Sequence, residues 1–136
     1  MADRIRIPIE SEGDIVTARQ HGRALARHLD FSPPDRIRIV AAVTEVARNL
    51  LEHSTGGEIL LSLASRPEEE GIVIVGRDRG PGIPDVDRAM QVGFSTREGM
   101  GLGLAGIKSL THEFGMESRT PTGTTITAKR WVRTEP

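Results

Sequence analysis

The chain contains no cysteine, no long apolar run and no excess of either charge, and each absence excludes a class of protein. Without cysteine there are no disulfides, no thiolate metal sites and no cysteine nucleophile. The 19 acidic and 18 basic residues nearly balance, which gives no support to nucleic-acid binding. No apolar run approaches the roughly 20 residues of a membrane span, and no signal-peptide segment opens the chain. We therefore expect a cytoplasmic protein that binds neither nucleic acid nor membrane.

What is present fits one folded domain. The 136 residues are 37% hydrophobic and 27% charged, a composition typical of globular proteins, and this length suits a single domain spanning residues 1–136. The four histidines, at positions 21, 28, 53 and 112, are scattered. They include no short-spaced pair of the kind found in zinc sites, so they predict no metal cluster.

Apolar periodicity predicts the order of helices and strands. It indicates an edge strand over residues 4–9, a helix capped by Asp14, a second helix from near Asp35, and a hairpin of residues 58–64 and 72–78. A third helix should run through Phe114 and stop at Gly115, before a last hairpin of residues 116–120 and 124–132. This order predicts an α+β fold in two layers, a mostly antiparallel mixed sheet with helices on one face.

The sequence also predicts which residues of the second helix are buried and where Trp131 packs. The buried stripe of the second helix is predicted to contain seven residues: Ile37, Val40, Ala41, Thr44, Ala47, Leu50 and Leu51. Trp131 alternates away from the apolar residues of the last strand. It could lie on an exposed sheet face used by a partner, or pack against the N-terminal strand, and we favour the second interpretation.

An acidic residue ends the predicted strand 72–78 and is followed at once by glycine and proline, in the stretch Asp78-Arg79-Gly80-Pro81-Gly82. These residues could form only a tight turn. The alternation of the strand, however, places Asp78 on the same face as Gly76. If that face packs on the helices, Asp78 points inward, where an acid must be paired or hydrogen-bonded.

A second polar feature lies on the second helix. Glu45 and Asn49 are four residues apart and so share one face, and His53 continues the row. The row could be a solvated helix surface. An Asn oxygen also suits Mg²⁺ beside phosphates, and a Glu near that ion could take a proton from an attacking hydroxyl.

Glycine is concentrated in residues 99–106, immediately before the third predicted helix. The spacing of Gly101, Gly103 and Gly106 matches the dinucleotide fingerprint, but that fingerprint requires a preceding strand and a parallel βαβ unit, which are not predicted here. Backbone N–H groups of a glycine loop entering a helix can instead bind an anion such as phosphate. The polar residues 84–98 before it are predicted to form a mobile, lid-like loop. Together these features describe an ATP site.

These motifs resemble the gyrase, Hsp90, histidine kinase and MutL (GHKL) ATPase superfamily. The stretch Glu45–Asn49 is similar to its N box, Asp78–Gly82 to its G1 box, Gly99–Gly103 to its G2 box and Gly123-Thr124 to a later Gly-Thr. The resemblance implies a Bergerat sandwich fold with ATP and Mg²⁺ as cofactors. It further implies Glu45 as general base, Arg97 at the γ-phosphate, Asn49 on Mg²⁺, Asp78 with Gly80, Gly82 and Thr124 at adenine, and Gly99, Gly101 and Gly103 at phosphates.

Among GHKL proteins, the short chain most resembles the stand-alone serine/threonine kinases of bacterial partner-switching systems, and within them the stressosome switch kinases. This resemblance implies phosphorylation of a STAS-domain antagonist and, after release, binding of a downstream phosphatase or similar effector. The alternative is an anti-sigma factor that holds a sigma factor and phosphorylates its anti-anti-sigma protein. A third alternative is a scaffold that only binds nucleotide, but the intact Glu45 argues against it.

Overall fold

The computed structural model describes residues 4–53, 57–78, 100–119 and 123–133. The chain order is β1 (Ile5–Ile9), α1 (Glu12–His28), α2 (Pro33–His53), β2 (Gly57–Arg66), β3 (Glu69–Asp78), α3 (Met100–Leu110), β4 (Glu113–Arg119) and β5 (Gly123–Arg133). The strands form one sheet in the order β1-β2-β3-β5-β4, and its four pairings are antiparallel. The inner face of the sheet and the helices share one core, so the predicted α+β fold is confirmed.

Strand β1 lies at the edge of the sheet, as its proline predicts. It pairs with β2 alone, and Pro8 stands opposite Glu58. Ile7 and Ile9 are buried while the residues between and beside them are exposed. The alternation of charged and apolar residues in the sequence therefore correctly predicts which face of β1 packs against the core.

Helix α1 begins earlier than predicted, and Asp14 is not its cap. The cap residue is Ser11, and the helix starts at Glu12. The carboxylate of Asp14 instead accepts hydrogen bonds from the backbone N–H groups of Glu10 and Ser11, at 2.8 and 3.1 Å. An acid in the third helical position that reaches back to the cap is the second half of a capping box, so Asp14 serves the helix end from inside the first turn.

Helix α2 also begins two residues before the predicted start. Ser32 precedes it, and Pro33 and Pro34 occupy the first turn, where a missing N–H is tolerated because those donors have no partner within the helix. The Ser32 hydroxyl oxygen accepts from the backbone N–H of Asp35 at 3.3 Å. The two prolines therefore open this helix and do not merely separate it from α1.

The predicted buried stripe of α2 is largely wrong. Ala47 and Leu50 are buried as expected, but Ile37 is 70% exposed, and none of the other predicted residues is fully buried. The core side consists of Ile39, Ala42, Val43, Val46, Ala47 and Leu50. Apolar residues occupy more than one side of this helix, so spacing alone could not choose among the registers.

Glycines permit the close approach of α2 to its neighbours. A Cβ atom on Gly76 of β3 would lie 2.5 Å from Cγ1 of Val46, and one on Gly22 of α1 would lie 3.1 Å from Cγ2 of Val43. Helix α2 therefore lies directly against β3 on one side and α1 on another. The face of β3 that carries Ile72, Ile74 and Gly76 points to the helices, as predicted.

The two hairpins differ from their predicted bounds. Strands β2 and β3 are longer than expected and are joined by Pro67 and Glu68, the latter with a φ of 65°. Helix α3 ends at Leu110, so Phe114 and Gly115 belong to β4 and not to the helix. Phe114 follows Leu110 by four residues, a spacing that also fits a continuing helix, so apolar periodicity alone does not mark the boundary.

Trp131 does not pack against the N-terminal strand, because β5 lies between β3 and β4. It is 8% exposed, and its indole N–H donates to Oε2 of Glu113 at 2.6 Å. The Arg66 guanidinium carbon lies 3.9 Å from its ring centroid, and Gly71 opposite leaves room for the ring. The indole is thus covered by its own sheet, and the edge-packing interpretation is wrong.

Arg130 of β5 ties the first turn of α2 to the end of α3. Its guanidinium donates to Oδ1 of Asp35 at 2.6 Å and to the carbonyl oxygen of Leu110 at 2.9 Å. The start of α2 and the end of α3 are therefore neighbours. Since the two helices also pack along each other, they run antiparallel.

The contact between α2 and β3 predicts the effect of a single methyl group. Gly76→Ala should lower the free energy of unfolding by about 1–3 kcal/mol, because the new Cβ would overlap the stiff side chain of Val46. Gly115→Ala is the matched control, since nothing lies within 4 Å of its Cβ position. Urea unfolding measures both; equal stabilities would show that Gly76 does not set the spacing between helix and sheet.

The Asp35–Arg130 pair predicts a pH dependence. The hydrogen bond from Arg130 holds the pKa of Asp35 below its ordinary 3.8, so the ionised carboxylate stabilises the folded state. This contribution is complete above pH 3.8 and is lost as the pH falls through the lower folded-state pKa. Asp35→Asn should therefore cost roughly 1–3 kcal/mol near pH 7. In urea unfolding across pH, a gap to wild type that persists unchanged into strong acid would contradict this origin.

Candidate functional site

Asp78 occupies the last position of β3 and is held in place by β5. Its Oδ1 accepts a hydrogen bond from the backbone N–H of Thr124 at 3.1 Å. Asp78 is half-buried, and Thr124 is 6% exposed. A carboxylate fixed by a backbone donor has a defined orientation, since that donor cannot rotate away as a side chain can.

Glycine allows β5 to approach Asp78 so closely. Gly123 has a φ of +117°, and a Cβ there would lie 2.2 Å from the backbone oxygen of Asp78. Only glycine adopts this conformation without strain and also leaves space for the neighbouring strand. The Gly-Thr pair singled out in the sequence therefore forms the structural support of Asp78.

The C-terminal half of α2 lies over the same end of the sheet. Gly57 of β2 pairs with Asp78, and a Cβ on Gly57 would lie 3.0 Å from Cδ2 of Leu50. Leu50 immediately follows Asn49 in the helix. The structure thus brings the turn that carries Asn49 to the end of the sheet where Asp78 lies.

Glu45 and Asn49 are on the flank of α2 that faces α3. Asp35, Ala42 and Asn49 are seven residues apart and so form one row along the helix. At one end of the row Asp35 is joined to α3 through Arg130, and in the middle Ala42 is fully buried. Val43, which contacts α1, lies on the other flank. Glu45 and Asn49 are both half-buried, so these two residues do not form a fully solvated helix surface.

Helix α3 brings its first turn towards the same place. It begins at Met100, so the backbones of Gly101 and Gly103 belong to that turn. The two helices are antiparallel, and α3 rises about 15 Å from Met100 to Leu110. An equal length of α2 separates Asp35 from Glu45. The N-terminal end of α3, whose first backbone N–H groups have no partner within the helix, is therefore level with Glu45 and about one turn short of Asn49.

Four of the predicted site residues lie outside the residues that the structure describes, namely Gly80, Gly82, Arg97 and Gly99. The predicted lid, residues 84–98, lies outside them as well. The other six predicted residues, Glu45, Asn49, Asp78, Gly101, Gly103 and Thr124, are brought to one end of the fold. In the part of the chain that the structure describes, no helix is long and apolar enough to cross a membrane.

The site also depends on two residues that the sequence did not single out. Gly57 gives α2 access to the end of β3, and Arg130 fixes the far end of α3. Gly57 follows Gly56 and resembles an ordinary turn glycine. In the sequence, Arg130 stands out only as a charged residue at a strand position where its alternate neighbours are apolar. Its partner Asp35 is 95 residues away in the chain, so the contact could not be inferred from that pattern.

The chain belongs to the histidine kinase-, DNA gyrase B- and HSP90-like ATPase family, whose model matches residues 34–134. The superfamily resemblance stated from the sequence is therefore confirmed, and with it the use of ATP. The match covers the elements that build the site, from the first turn of α2 to the end of β5.

Individual relatives narrow the class further. The chain is 41% identical over 133 residues, 98% of its length and 100% of the relative's, to serine/threonine-protein kinase RsbT of Bacillus subtilis. It is 29% identical over 119 residues to an anti-sigma F factor of Caldanaerobacter subterraneus, covering 85% of this chain and 83% of that protein. The expected class, a serine/threonine kinase homologue, is confirmed.

A solved structure agrees on the fold. The RsbU and RsbW domains of a Mycobacterium tuberculosis protein superpose with a TM-score of 0.62 at 20% sequence identity, over 98% of this chain. The chain spans about a third of that structure, 34% of its length. At this identity the likeness concerns the fold alone, and it supports the two-layer arrangement described above.

The support of Asp78 by Gly123 predicts a combined loss. Gly123→Ala should reduce stability by about 2 kcal/mol or more, because it adds backbone strain and a clash with Asp78. It should also weaken nucleotide binding by misplacing the carboxylate. Thermal unfolding and titration with a fluorescent ATP analogue measure the two effects. Gly13→Ala in α1 is the control and should retain both; full affinity in Gly123→Ala would show that nucleotide does not depend on this support.

Proposed function

We propose that the chain is an ATP- and Mg²⁺-dependent protein serine/threonine kinase of a bacterial partner-switching pathway. Its proposed substrate is a STAS-domain antagonist protein, and its second partner, bound after release, is a phosphatase or similar effector. The observation that carries the proposal is the meeting of Asp78, the Glu45–Asn49 row and the first turn of α3 at one end of the fold. The 41% identity to a named serine/threonine kinase supports it. The proposed compartment is the cytoplasm, and one domain spans residues 1–136.

The anchored carboxylate suits the recognition of adenine. Asp78 accepts from Thr124 through Oδ1, and carboxylates accept several hydrogen bonds at once. We assign Asp78 the exocyclic amine of adenine, with Gly80, Gly82 and Thr124 beside the ring. A backbone-fixed acceptor selects an amino group over the carbonyl oxygen that guanine presents there, because two acceptors cannot pair.

The helical side of the site suits the phosphates. Backbone N–H groups at the N-terminus of α3 favour an anion, and Gly99, Gly101 and Gly103 leave the backbone open to it. Asn49 offers an amide oxygen of the kind that Mg²⁺ accepts. Among the described residues no three His, Asp or Glu side chains converge. These residues therefore fit an ion that takes most of its ligands from phosphate and water, and that would neutralise phosphate charge during transfer.

Glu45 is the proposed general base. In the reaction it accepts the proton of the substrate serine or threonine hydroxyl, whose oxygen forms a bond to the γ-phosphorus as the bond to the β–γ bridging oxygen breaks. ADP is the leaving group. Arg97 is assigned to the γ-phosphate on the basis of the superfamily resemblance, since it precedes the glycine stretch directly. Glu45 lies one turn from Asn49, so base and metal ligand are neighbours.

Phosphate transfer from γ-labelled ATP to a STAS-domain protein encoded beside this chain tests the proposal. Glu45→Ala should lower the rate by roughly 10²–10⁴-fold, and Asn49→Asp should lower it by altering the metal ligand. Asp78→Asn should weaken ATP binding about 10–100-fold while the protein stays folded. Glu70→Ala, an exposed acid near the opposite end of β3, is the control. Wild-type rates in both Glu45→Ala and Asn49→Asp would refute the mechanism, and an unfolded Asp78→Asn protein would make Asp78 structural.

The alternative, an anti-sigma factor, is supported by the 29% identical relative. It predicts a stable complex with a sigma factor in a pull-down from the source bacterium. Capture of a phosphatase without any sigma factor would favour the switch kinase.

A further inference from the structure

Arg130 is a charged residue in an apolar row. On β5 it alternates with Ile126 and Ala128, which face the helices and are 4% and 0% exposed. Its own side chain is only 12% exposed. A guanidinium in such a position loses most of its hydration and needs compensating partners.

The partners of Arg130 belong to the two helices that flank the proposed phosphate site. One guanidinium nitrogen binds the carboxylate of Asp35 in the first turn of α2, and the other binds the last carbonyl of α3, at Leu110. The third nitrogen, Nε, is buried and finds no acceptor among the described residues. The side chain therefore bridges two helices and leaves its own hydrogen-bonding capacity incomplete.

We propose that Arg130 is a positioning residue for ATP, which acts through α3 on the phosphate end of the site. This inference rests on the function proposed above. Arg130 joins the C-terminal end of α3 to the start of α2, while the N-terminal end of the same helix is level with Glu45, one turn from Asn49. The 11 residues of α3 form one continuous helix, whose hydrogen bonds link each turn to the next, so we expect a displacement at Leu110 to shift the backbone of Gly101 and Gly103.

The charges around Arg130 favour an arginine at this position. The C-terminal end of a helix carries partial negative charge, which a cation stabilises, and Asp35 supplies a full negative charge on the other side. Arginine satisfies both at once because its nitrogens form a planar fork. The hydrogen bond from Arg130 also holds the pKa of Asp35 below its usual range, so the carboxylate stays ionised beside the guanidinium.

Comparing ATP with adenosine distinguishes a positioning role of Arg130 from a general contribution to the stability of the fold. Adenine is assigned to Asp78 and Thr124, which are joined to each other across β3 and β5 by a hydrogen bond from the backbone N–H of Thr124. If Arg130 acts through α3, its loss affects the binding of phosphates and spares that of adenosine. If Arg130 merely stabilises the fold, ATP and adenosine are affected alike.

The experiment is calorimetric titration of the full chain with ATP plus Mg²⁺ and, separately, with adenosine. Arg130→Met should weaken ATP binding between roughly 3- and 30-fold and leave adenosine affinity unchanged. Arg130→Lys should restore part of the loss, and Asp35→Asn should reproduce part of it. Arg36→Met is the matched control, since Arg36 lies in the same first turn of α2 and is half-buried. Among the described residues, its side chain binds the carbonyl of Phe31 alone, at 2.8 Å.

Each outcome decides the proposal. Unchanged ATP affinity in folded Arg130→Met, or equal losses for ATP and adenosine, would overturn it. A loss in Arg36→Met as large as in Arg130→Met would overturn it too. If Arg130→Met does not fold, the ATP and adenosine affinities of Arg130→Lys and Asp35→Asn are compared with those of the wild type instead. Unchanged ATP affinity in both variants would overturn the inference. Failure of the wild-type chain to bind either ligand would instead refute the proposed function itself.

Discussion

Helix α2 can carry Glu45 and Asn49 to the end of β3 only because Gly76 has no side chain. Val46 occupies the space that a Cβ of Gly76 would need, 2.5 Å away. Every other residue at this position would push the helix outward and move the polar row with it. The spacing between sheet and helix is thus set by one absent methyl group, and the proposed chemistry depends on that spacing.

The sheet holds the carboxylate of Asp78 in a half-buried position. Asp78 is placed where a strand ends, so that it is close to solvent, and a backbone N–H from β5 satisfies one of its oxygens. Gly57 and Gly123 flank it on the two neighbouring strands and keep its surroundings open to close backbone approach. Backbone groups of the neighbouring strands therefore contribute to its support, which gives a fixed acceptor at low conformational cost.

The parts of this arrangement that sequence could predict are those that depend on local periodicity. Alternation in β3 correctly placed Gly76 towards the helices, with Asp78 on the same face, and the four-residue spacing correctly put Glu45 and Asn49 on one flank of α2. The register of α2 was not predictable in this way, because Ile37 and Ile39 are two apolar candidates in different directions. The choice between them is made by β3 and α3, which pack on only one side of the helix.

The sequence did not predict the contacts that join distant parts of the chain. The bridge from Arg130 to Asp35 spans 95 residues, and neither residue has a motif. The superfamily resemblance supplied roles for the motif residues but not the contacts that hold them in place. Sequence therefore identified the groups proposed to meet nucleotide, and only the structure revealed what positions them.

These supports divide the site into two mechanically different ends. The adenine end is built on paired strands, whose ladder of hydrogen bonds keeps Asp78 and Thr124 in register. The phosphate end is built on α2 and α3, which pack along each other and are joined at their far ends by one guanidinium. In the proposed function, adenine recognition therefore depends on the pairing of β3 with β5, whereas the geometry of phosphoryl transfer depends on how α2 and α3 pack against each other and against the sheet.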